Sequence, residues 1–523
     1  MEICKILMDR GYNVTLAAPE NFTAQSISYS LIPQVIIDRK IMSSIDLKRL
    51  SKERVYTDDD FKRNYLKQTI YLAKGMINTV YVPLYNVYKE IVEDINPDLF
   101  LCDYYLNHPC FDLAWKLGKP VVGITSTISY FLIVSPPPYK SDPMLGCPVN
   151  MENESFYNRF RCALISPLQF IWSANENLVD LNVQRAKVGV EPHWNPRGRI
   201  SNILMLFDSF LGFEISSVES PLHQEIGPIM SDIYPGLTPV LDSFLVTHPR
   251  TIYFAIGTYA VLSDQIVAAI LKSFLKLIDQ DVIDGVIWAT MNADTSKLMS
   301  LSDTDISMSV ILNNNYSHIH VTKRAPQFAI LSHENTKLFL SHGGVSSSHE
   351  ALYNAKPMLI LPIFGDQLGN AQKLELAGVA LRISEFNLNV NDIILKVKRL
   401  LNEENFKGNA KRLQFLAKIN SKRKYRGADL IEVVMNTAKH EGFKNESGVP
   451  KVDNEKLLKD WITPDTRMGY VRGNYLDVYG AAIILVLTTS SGLSYILLMI
   501  TRYFYAKWLG NMNSQEFSRP KRE

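Results

Sequence analysis

Apolar and polar positions in the second half of the chain follow two alternating patterns. Short apolar runs typical of buried strands occur at residues 251–256, 286–289, 319–321, 337–340 and 358–361. Apolar side chains at helical spacing lie between them, at residues 264–278, 345–353 and 368–376. Strands that alternate with helices across short loops predict a parallel sheet with helices on its faces.

The first half shows the same alternation. It predicts helices at residues 3–10, 58–94 and 109–117, and strands at 13–18, 98–102 and 120–124. Residues 135–143 contain three consecutive prolines and predict an extended loop. A length of 523 residues favours two domains. We place them at residues 1–228 and 250–445, with a Pro- and Gly-punctuated linker at 229–249 and a C-terminal helix and juxtamembrane segment at 446–477.

One segment is apolar enough to cross a bilayer. Residues 478–501 include 24 positions without a charge, and Tyr479 and Trp508 flank the two edges. The tail at 502–523 is basic, so the positive-inside rule makes it cytosolic. This predicts a single-pass type I protein with its body in the lumen or outside the cell, and we expect it in the endoplasmic reticulum or another secretory-pathway membrane. Five N-glycosylation acceptors are compatible with a lumenal glycoprotein: Asn13, Asn21, Asn153, Asn315 and Asn445.

Composition narrows the function classes. A hydrophobic share of 46% with 21% charged residues is that of a globular protein. The net charge of +2 provides no basic field for a nucleic-acid partner. The five cysteines form no CxxC pair and no zinc-like spacing. We expect them to be small buried apolar side chains, with one disulfide left open.

The candidate chemistry lies where a strand runs into a helix through Ser-His-Gly-Gly. Glycines at such a junction let backbone N–H groups approach a phosphate, and the helix N-terminus favours its charge. His342 could add a donor, although a tight turn with a satisfied histidine would look the same. Glu350, two turns into the helix, suits ribose hydroxyls, while Asp366 and Gln367 follow the next strand and Gln327 heads the preceding helix. Polar groups from four loops thus converge on one sheet edge, as a nucleotide-sugar site requires.

With these intervals, residues 324–367 resemble the 44-residue signature of the UDP-glycosyltransferase family, known as the plant secondary-product box and the animal UDP-glucuronosyltransferase motif. The resemblance implies an α/β fold of glycosyltransferase type B, with two Rossmann-like domains and neither metal nor other cofactor. It implies a UDP-glucose or UDP-glucuronic acid donor and a lipophilic small molecule, sterol or lipid as acceptor; a homo-oligomer is left open. The reaction implied is an inverting hexosyl transfer.

The resemblance also assigns roles to single residues. Gln327 and Glu350 would contact the ribose, and Asp366 and Gln367 the sugar. The diphosphate would meet His342, Gly343, Gly344, Val345, Ser346 and Ser347, with Gly257 and Thr258 nearby. Arg324 and Ala325 would lie at the uracil end, and Asp103 matches the aspartate that orients the base histidine.

The sequence departs from the family pattern in two ways. Arg324 stands where the family has a tryptophan that stacks on uracil; a guanidinium plane can also stack, or the side chain could face solvent. The base histidine and any export signal would precede Met1, because the chain opens inside the helix before Arg10 and Gly11. We therefore expect the chain as written to bind UDP-sugar but transfer poorly. The alternative is a non-catalytic membrane-tethered binding protein. His108 is expected to open a helix rather than to replace the base.

Overall fold

The structure, a computed structural model, describes residues 1–19, 29–38, 41, 65–104, 107–126, 137, 139–258, 260, 262–291, 306–444 and 450–516. The chain divides into two compact units, Met1–Lys459 and Asp460–Glu523. Predictions for residues 58–64, for positions 135, 136 and 138 of the proline-rich loop, and for the acceptors Asn21 and Asn445 lie outside the described residues.

The first half of the larger unit contains a four-stranded parallel sheet. A separate parallel pair consists of β1 (Leu16–Ala18) and β2 (Gln34–Ile36). The sheet has the order β3-β4-β5-β6, with β3 at Phe100–Asp103, β4 at Val121–Thr125, β5 at Met205–Phe207 and β6 at His223–Glu225. Its helices are α1 (Glu2–Asp9), α2 (Tyr65–Ile95), α3 (His108–Leu117), α4 (Phe156–Phe160), α5 (Ser166–Lys187) and α6 (Pro196–Ser201).

The second half contains a six-stranded parallel sheet of order β12-β11-β10-β7-β8-β9. These strands are β7 (Thr251–Ala255), β8 (Gly285–Ala289), β9 (Ile319–Thr322), β10 (Thr336–Ser341), β11 (Met358–Ile360) and β12 (Ala380–Arg382). Its helices are α7 (Pro239–Thr247), α8 (Asp264–Asp279), α9 (Met308–Leu312), α10 (Gln327–Ser332), α11 (Val345–Tyr353), α12 (Gln367–Leu376), α13 (Val390–Asn402) and α14 (Glu404–Asn420). The predicted α/β class is confirmed; α7 is a regular helix inside the predicted linker.

The core of the second sheet is built from both halves of the chain. Ile270 and Phe274 of α8 pack on one face, where their side chains are fully buried. On the other face, Phe210 and Phe213 from the loop after β5 join Tyr253 and other strand residues. The loop at residues 208–214 therefore leaves the first sheet and inserts into the core of the second.

The end of the larger unit returns to the first half. Helix α15 (Lys424–Glu441) packs on α1, and strands β13 (Phe443–Lys444) and β14 (Pro450–Lys451) follow it as an antiparallel pair. The buried Lys424 Nζ donates to Glu2 Oε2 at 2.8 Å and to Asp232 Oδ1 at 2.6 Å. These charged contacts join the start, the middle and the end of the unit.

Four of the five cysteines form disulfides, which corrects the expectation that they are unpaired apolar side chains. Cys102 pairs with Cys110 and Cys147 with Cys162, with Cα–Cα distances of 5.9 and 5.8 Å. The first pair joins the end of β3 to the first turn of α3, which packs against that strand. Cys4 is a buried free thiol, as expected.

The smaller unit is dominated by one long helix. It contains α16 (Pro464–Met468), α17 (Tyr470–Gly473) and α18 (Leu476–Glu516). Within α18, Leu476–Met512 is long and apolar enough to cross a membrane, with a mean hydropathy of 2.1 and its apolar side chains exposed. The predicted span at residues 478–501 lies inside this stretch.

Candidate functional site

The junction between β10 and α11 forms the centre of the site. Strand β10 ends at Ser341, one residue beyond the predicted strand, and α11 begins at Val345, as the sequence predicts. Gly343 has a φ of +82°, a left-handed conformation that favours glycine. Gly344 is the N-cap and has no side chain with which to cap the helix. The Val345 N–H donates to the Asp366 carboxylate, so the positive end of α11 already attracts one anionic group and favours a ligand anion in the same way.

His342 is wedged between two glycines. A Cβ on Gly257 would lie 2.7 Å from Cε1 and Nε2 of the His342 ring, and one on Gly344 would lie 2.5 Å from Nε2. Burial lowers the pKa of His342 to about 4, so the imidazole is neutral at physiological pH. Its Nδ1 is buried without a hydrogen-bond partner among the described residues. The position of the His342 ring therefore leaves no room for a side chain at Gly257 or Gly344.

The two residues predicted for the ribose lie in direct contact. Gln327 Nε2 donates to Glu350 Oε2 at 2.9 Å and to Ser347 Oγ at 3.2 Å. Burial raises the pKa of Glu350 to about 7, and the hydrogen bond from Gln327 opposes that rise. Burial destabilises the charged form of the Glu350 carboxyl group. Hydrogen bonds donated by ligand hydroxyls would stabilise that form.

The loop before α12 carries the predicted sugar contacts. Burial raises the pKa of Asp366, and Asn370 Nδ2 opposes this by donating to Asp366 Oδ2 at 2.5 Å. Asn370 also donates to the Gly343 carbonyl at 3.0 Å, which ties this loop to the glycine turn. Gln367 Oε1 accepts from two backbone N–H groups of its own loop, so its NH₂ group is the end left for a ligand. Sequence reasoning missed Asn370, although it lies one helical turn after Asp366.

At the far end of the site, Arg324 is exposed and Ala325 is half-buried in the loop between β9 and α10. Beside them is an aromatic pair that the sequence did not reveal. Tyr234, from the predicted linker, stacks on Phe328 with ring centroids 3.7 Å apart and planes inclined by 6°. Burial, with a smaller contribution from the Glu350 charge, raises the pKa of Tyr234. An element between the two sheets thus contacts the helix that carries Gln327.

The remaining predicted residues lie at strand ends. Thr258 is exposed two residues after Ile256, and Asp103 is exposed at the carboxyl end of β3 in the other sheet. His108 is the first residue of α3, which confirms that it opens a helix. Burial lowers its pKa to about 4, with Asp112 raising it. Among the described residues there is no cluster of three His, Cys, Asp or Glu side chains suited to a metal ion.

Comparisons with known proteins identify the family to which the chain is similar. The profile of the family described as "UDP-glucoronosyl and UDP-glucosyl transferase" matches residues 288–444. A UDP-glycosyltransferase of Talaromyces amestolkiae is 30% identical over 498 residues, which cover 92% of this chain and 90% of that protein. UDP-glycosyltransferase stmC of Aspergillus ustus is 29% identical over 501 residues, again 92% and 90% of the two chains.

The chain belongs to the UDP-glycosyltransferase family. The solved structure of the kitacinnamycin glycotransferase covers 82% of this chain with a TM-score of 0.56, at 17% identity and with 93% of that chain covered. This likeness confirms the predicted glycosyltransferase type B fold. Family membership makes this UDP-glycosyltransferase an enzyme that uses a UDP-sugar donor.

Proposed function

We propose that this UDP-glycosyltransferase transfers glucose or glucuronic acid to a hydroxyl of a lipophilic small molecule, sterol or lipid, with inversion at the anomeric carbon. The observation that carries the proposal is the convergence of His342, the N-terminus of α11 and Glu350 at one sheet edge. An acceptor that partitions into lipid fits a chain with a candidate membrane span.

In the proposed donor complex, each group meets one part of the UDP-sugar. The first-turn N–H groups of α11 and the neutral His342 bind the diphosphate. Glu350 and Gln327 hold the ribose hydroxyls, and Asp366 with the Gln367 amide holds the sugar. Arg324 and Ala325 lie at the uracil end. Because these donors are fixed before reaction, they stabilise the charge that develops on the departing UDP.

The proposed transfer is a single displacement. The acceptor oxygen forms a bond to the anomeric carbon while the bond from that carbon to the diphosphate oxygen breaks, and UDP departs with the electron pair. The acceptor proton passes to the general-base histidine that the family resemblance implies, which Asp103 would orient. We propose that no metal takes part, since the helix N-terminus and His342 supply the stabilisation of the diphosphate.

The test is UDP release from a panel of UDP-sugars with hydroxylated lipophilic acceptors, with and without EDTA. We expect UDP release with UDP-glucose or UDP-glucuronic acid that is slow for the chain as written and that EDTA leaves unchanged, and a β-linked product by NMR. His342→Ala and Glu350→Gln should weaken donor binding at least about tenfold, as loss of a buried polar partner does. Lys337→Ala, at the opposite end of β10, is the matched control. Donor binding without transfer to any acceptor would favour the non-catalytic binding protein instead.

We also propose that α18 anchors the protein in the endoplasmic reticulum or a related membrane, with the body in the lumen. Asn153 is an exposed glycosylation acceptor in the larger unit. Expressed in eukaryotic cells, the full chain should lose mass on endoglycosidase treatment, and Asn153→Gln should reduce that loss. A membrane-bound but unglycosylated chain whose body is open to protease from the cytosolic side would reverse the orientation.

A further inference from the structure

A row of exposed apolar side chains follows the first helical segments after the Cys147 loop. Helix α4, a π-helical turn (Arg161–Ile165) and α5 run consecutively, because the flanking residues keep right-handed helical dihedrals. Every fourth residue is large, apolar and solvent-exposed: Phe156, Phe160, Leu164, Leu168 and Trp172, with exposed fractions of 75%, 47%, 48%, 56% and 86%. We name these five residues the apolar stripe.

The opposite face of the same helices already holds them to the fold. Cys162 forms the disulfide to Cys147, and Asn177 Nδ2 donates to the Ile70 carbonyl at 2.9 Å. Leu181 is buried, and Glu176 pairs with Lys74 of α2. The helix is thus fixed by one face, while the apolar stripe lies on the other.

The character of the stripe favours a lipid surface over a protein partner. Residues 155–175 contain no acidic side chain, and their charges are Arg159 and Arg161. Tyr157 and Trp172 are of the types that prefer the membrane–water interface. A helix with an aromatic and aliphatic face and cationic neighbours lies in the headgroup layer, where anionic lipids attract its arginines.

The candidate membrane span also favours a bilayer as the partner of the apolar stripe. The chain carries its own candidate membrane span, and the anchoring proposed for it would bring the protein to a bilayer. Contiguous exposed apolar side chains of this number mark an interaction site in soluble domains. At about 1.5 Å per residue, the stripe is roughly 24 Å long, enough for a helix lying in the plane of the interface.

We infer that the apolar stripe is a membrane-docking surface, inserted among the headgroups of an anionic bilayer in addition to any span by α18. This inference does not depend on the proposed sugar transfer. It adds a second, peripheral membrane contact in the larger unit.

The experiment uses the full chain in liposomes that contain phosphatidylserine. Introduced cysteines at Phe160→Cys and, separately, Trp172→Cys take an environment-sensitive NBD label, because Cys4 is buried and the other cysteines are paired. Headgroup nitroxide lipids should quench these labels at least about twofold more than the matched control Lys411→Cys, on the exposed face of α14. Phosphatidylcholine alone should reduce the difference.

Two results would overturn the inference. Labels that stay fully water-exposed in both lipid mixtures show that the stripe does not touch the bilayer. Labels that become buried without nitroxide quenching, and whose burial depends on protein concentration, show that a second copy of the chain covers it. Unchanged UDP binding by both labelled variants serves to show that they are folded.

Discussion

Lys373 of α12 forms a buried ion pair with Glu214 of the loop after β5. Lys373 Nζ lies 2.7 Å from Glu214 Oε1 and 2.6 Å from Oε2, and the two side chains are 10% and 2% exposed. Ser209 Oγ also donates to Glu214 Oε1. Because α12 begins beside Asp366, this pair connects the proposed sugar contacts to a loop that starts in the first sheet.

We predict that breaking this pair destabilises the protein while removing both partners costs less. Lys373→Met alone leaves a buried carboxylate unpaired and should lower the free energy of unfolding by about 3–5 kcal/mol. The double variant Lys373→Met/Glu214→Leu should recover a large part of that loss. Urea unfolding measures both. As a control, Lys396→Met removes a partly exposed ion pair with Asp392 and should change the free energy of unfolding by less than about 1 kcal/mol. If Lys373→Met and the double variant proved equally stable, the prediction would be contradicted.

Glu350 should make stability depend on pH in a defined direction. Its folded pKa of about 7 lies above the ordinary 4.5, so the folded state retains a proton that the unfolded state loses. Stability therefore falls as pH rises from 4.5 to 7 and levels off above. Without ligand, Glu350→Gln should gain on the order of 2 kcal/mol relative to the parent between pH 5 and pH 8. Urea unfolding at both pH values tests this; Glu334→Gln, at an exposed site, should show no such gain.

Methyl groups at the glycines around His342 should displace its ring. Gly257→Ala and Gly344→Ala place a Cβ within 2.7 Å and 2.5 Å of ring atoms, and Gly257 also has a φ of +75°. We expect UDP binding, followed by calorimetry, to weaken about tenfold or more, since a shift of about 1 Å in a positioning group is costly. Gly408→Ala is the control, because an added Cβ there meets no atom within 4 Å. Unaltered affinity in both test variants would mean that His342 does not contact the diphosphate.

The Cys102–Cys110 disulfide should affect turnover more than donor binding. It joins the end of β3, beside Asp103, to α3. Cys102→Ala/Cys110→Ala should loosen the strand end that carries Asp103 and lower kcat, while KM for the UDP-sugar stays unchanged because the donor groups lie on the other sheet. The comparison is Cys147→Ala/Cys162→Ala, which should leave kcat closer to that of the parent. If KM for the UDP-sugar rose while kcat stayed constant, the disulfide would not act on turnover through Asp103.

Arg324 offers a test of the uracil end. Its side chain is exposed, so Arg324→Ala should change UDP affinity little. Arg324→Trp should tighten UDP binding by about 0.5–1.5 kcal/mol if an indole stacks on the base. Calorimetry measures the affinity of both variants for UDP. UMP is the comparison ligand, because it retains the uracil but has one phosphate fewer. Equal affinity of both variants would place the base elsewhere.

The second sheet could be predicted closely because its strands are short apolar runs between helical patterns. Helix α11 was predicted over the residues it occupies, since the glycine turn and the apolar spacing agree there. Helix α5 was missed: its exposed face carries Leu168 and Trp172, which obscure the amphipathic pattern that reveals a helix packed on a core. Helix α7 was missed because the surrounding prolines and glycines suggested a connector.

Contacts between distant residues were beyond the sequence argument. Gln327 and Glu350 could be placed together because they belong to one motif, but Lys373 and Glu214 are separated by 159 positions. The stacking of Tyr234 on Phe328 is likewise a product of the folded chain. One disulfide was left open from the sequence, and the pairing of four cysteines follows only from the positions that the fold gives them.

The insertion of Phe210 and Phe213 into the second sheet's core bears on how this enzyme can be recombined. A chimera that exchanged N-terminal halves at residue 228 would bring in a foreign copy of this loop and leave the recipient core with mismatched aromatic side chains. Grafts should therefore keep residues 208–214 with the C-terminal half, even though they precede the junction. The unit of exchange is discontinuous in sequence, and crossover points chosen from linear boundaries would miss it.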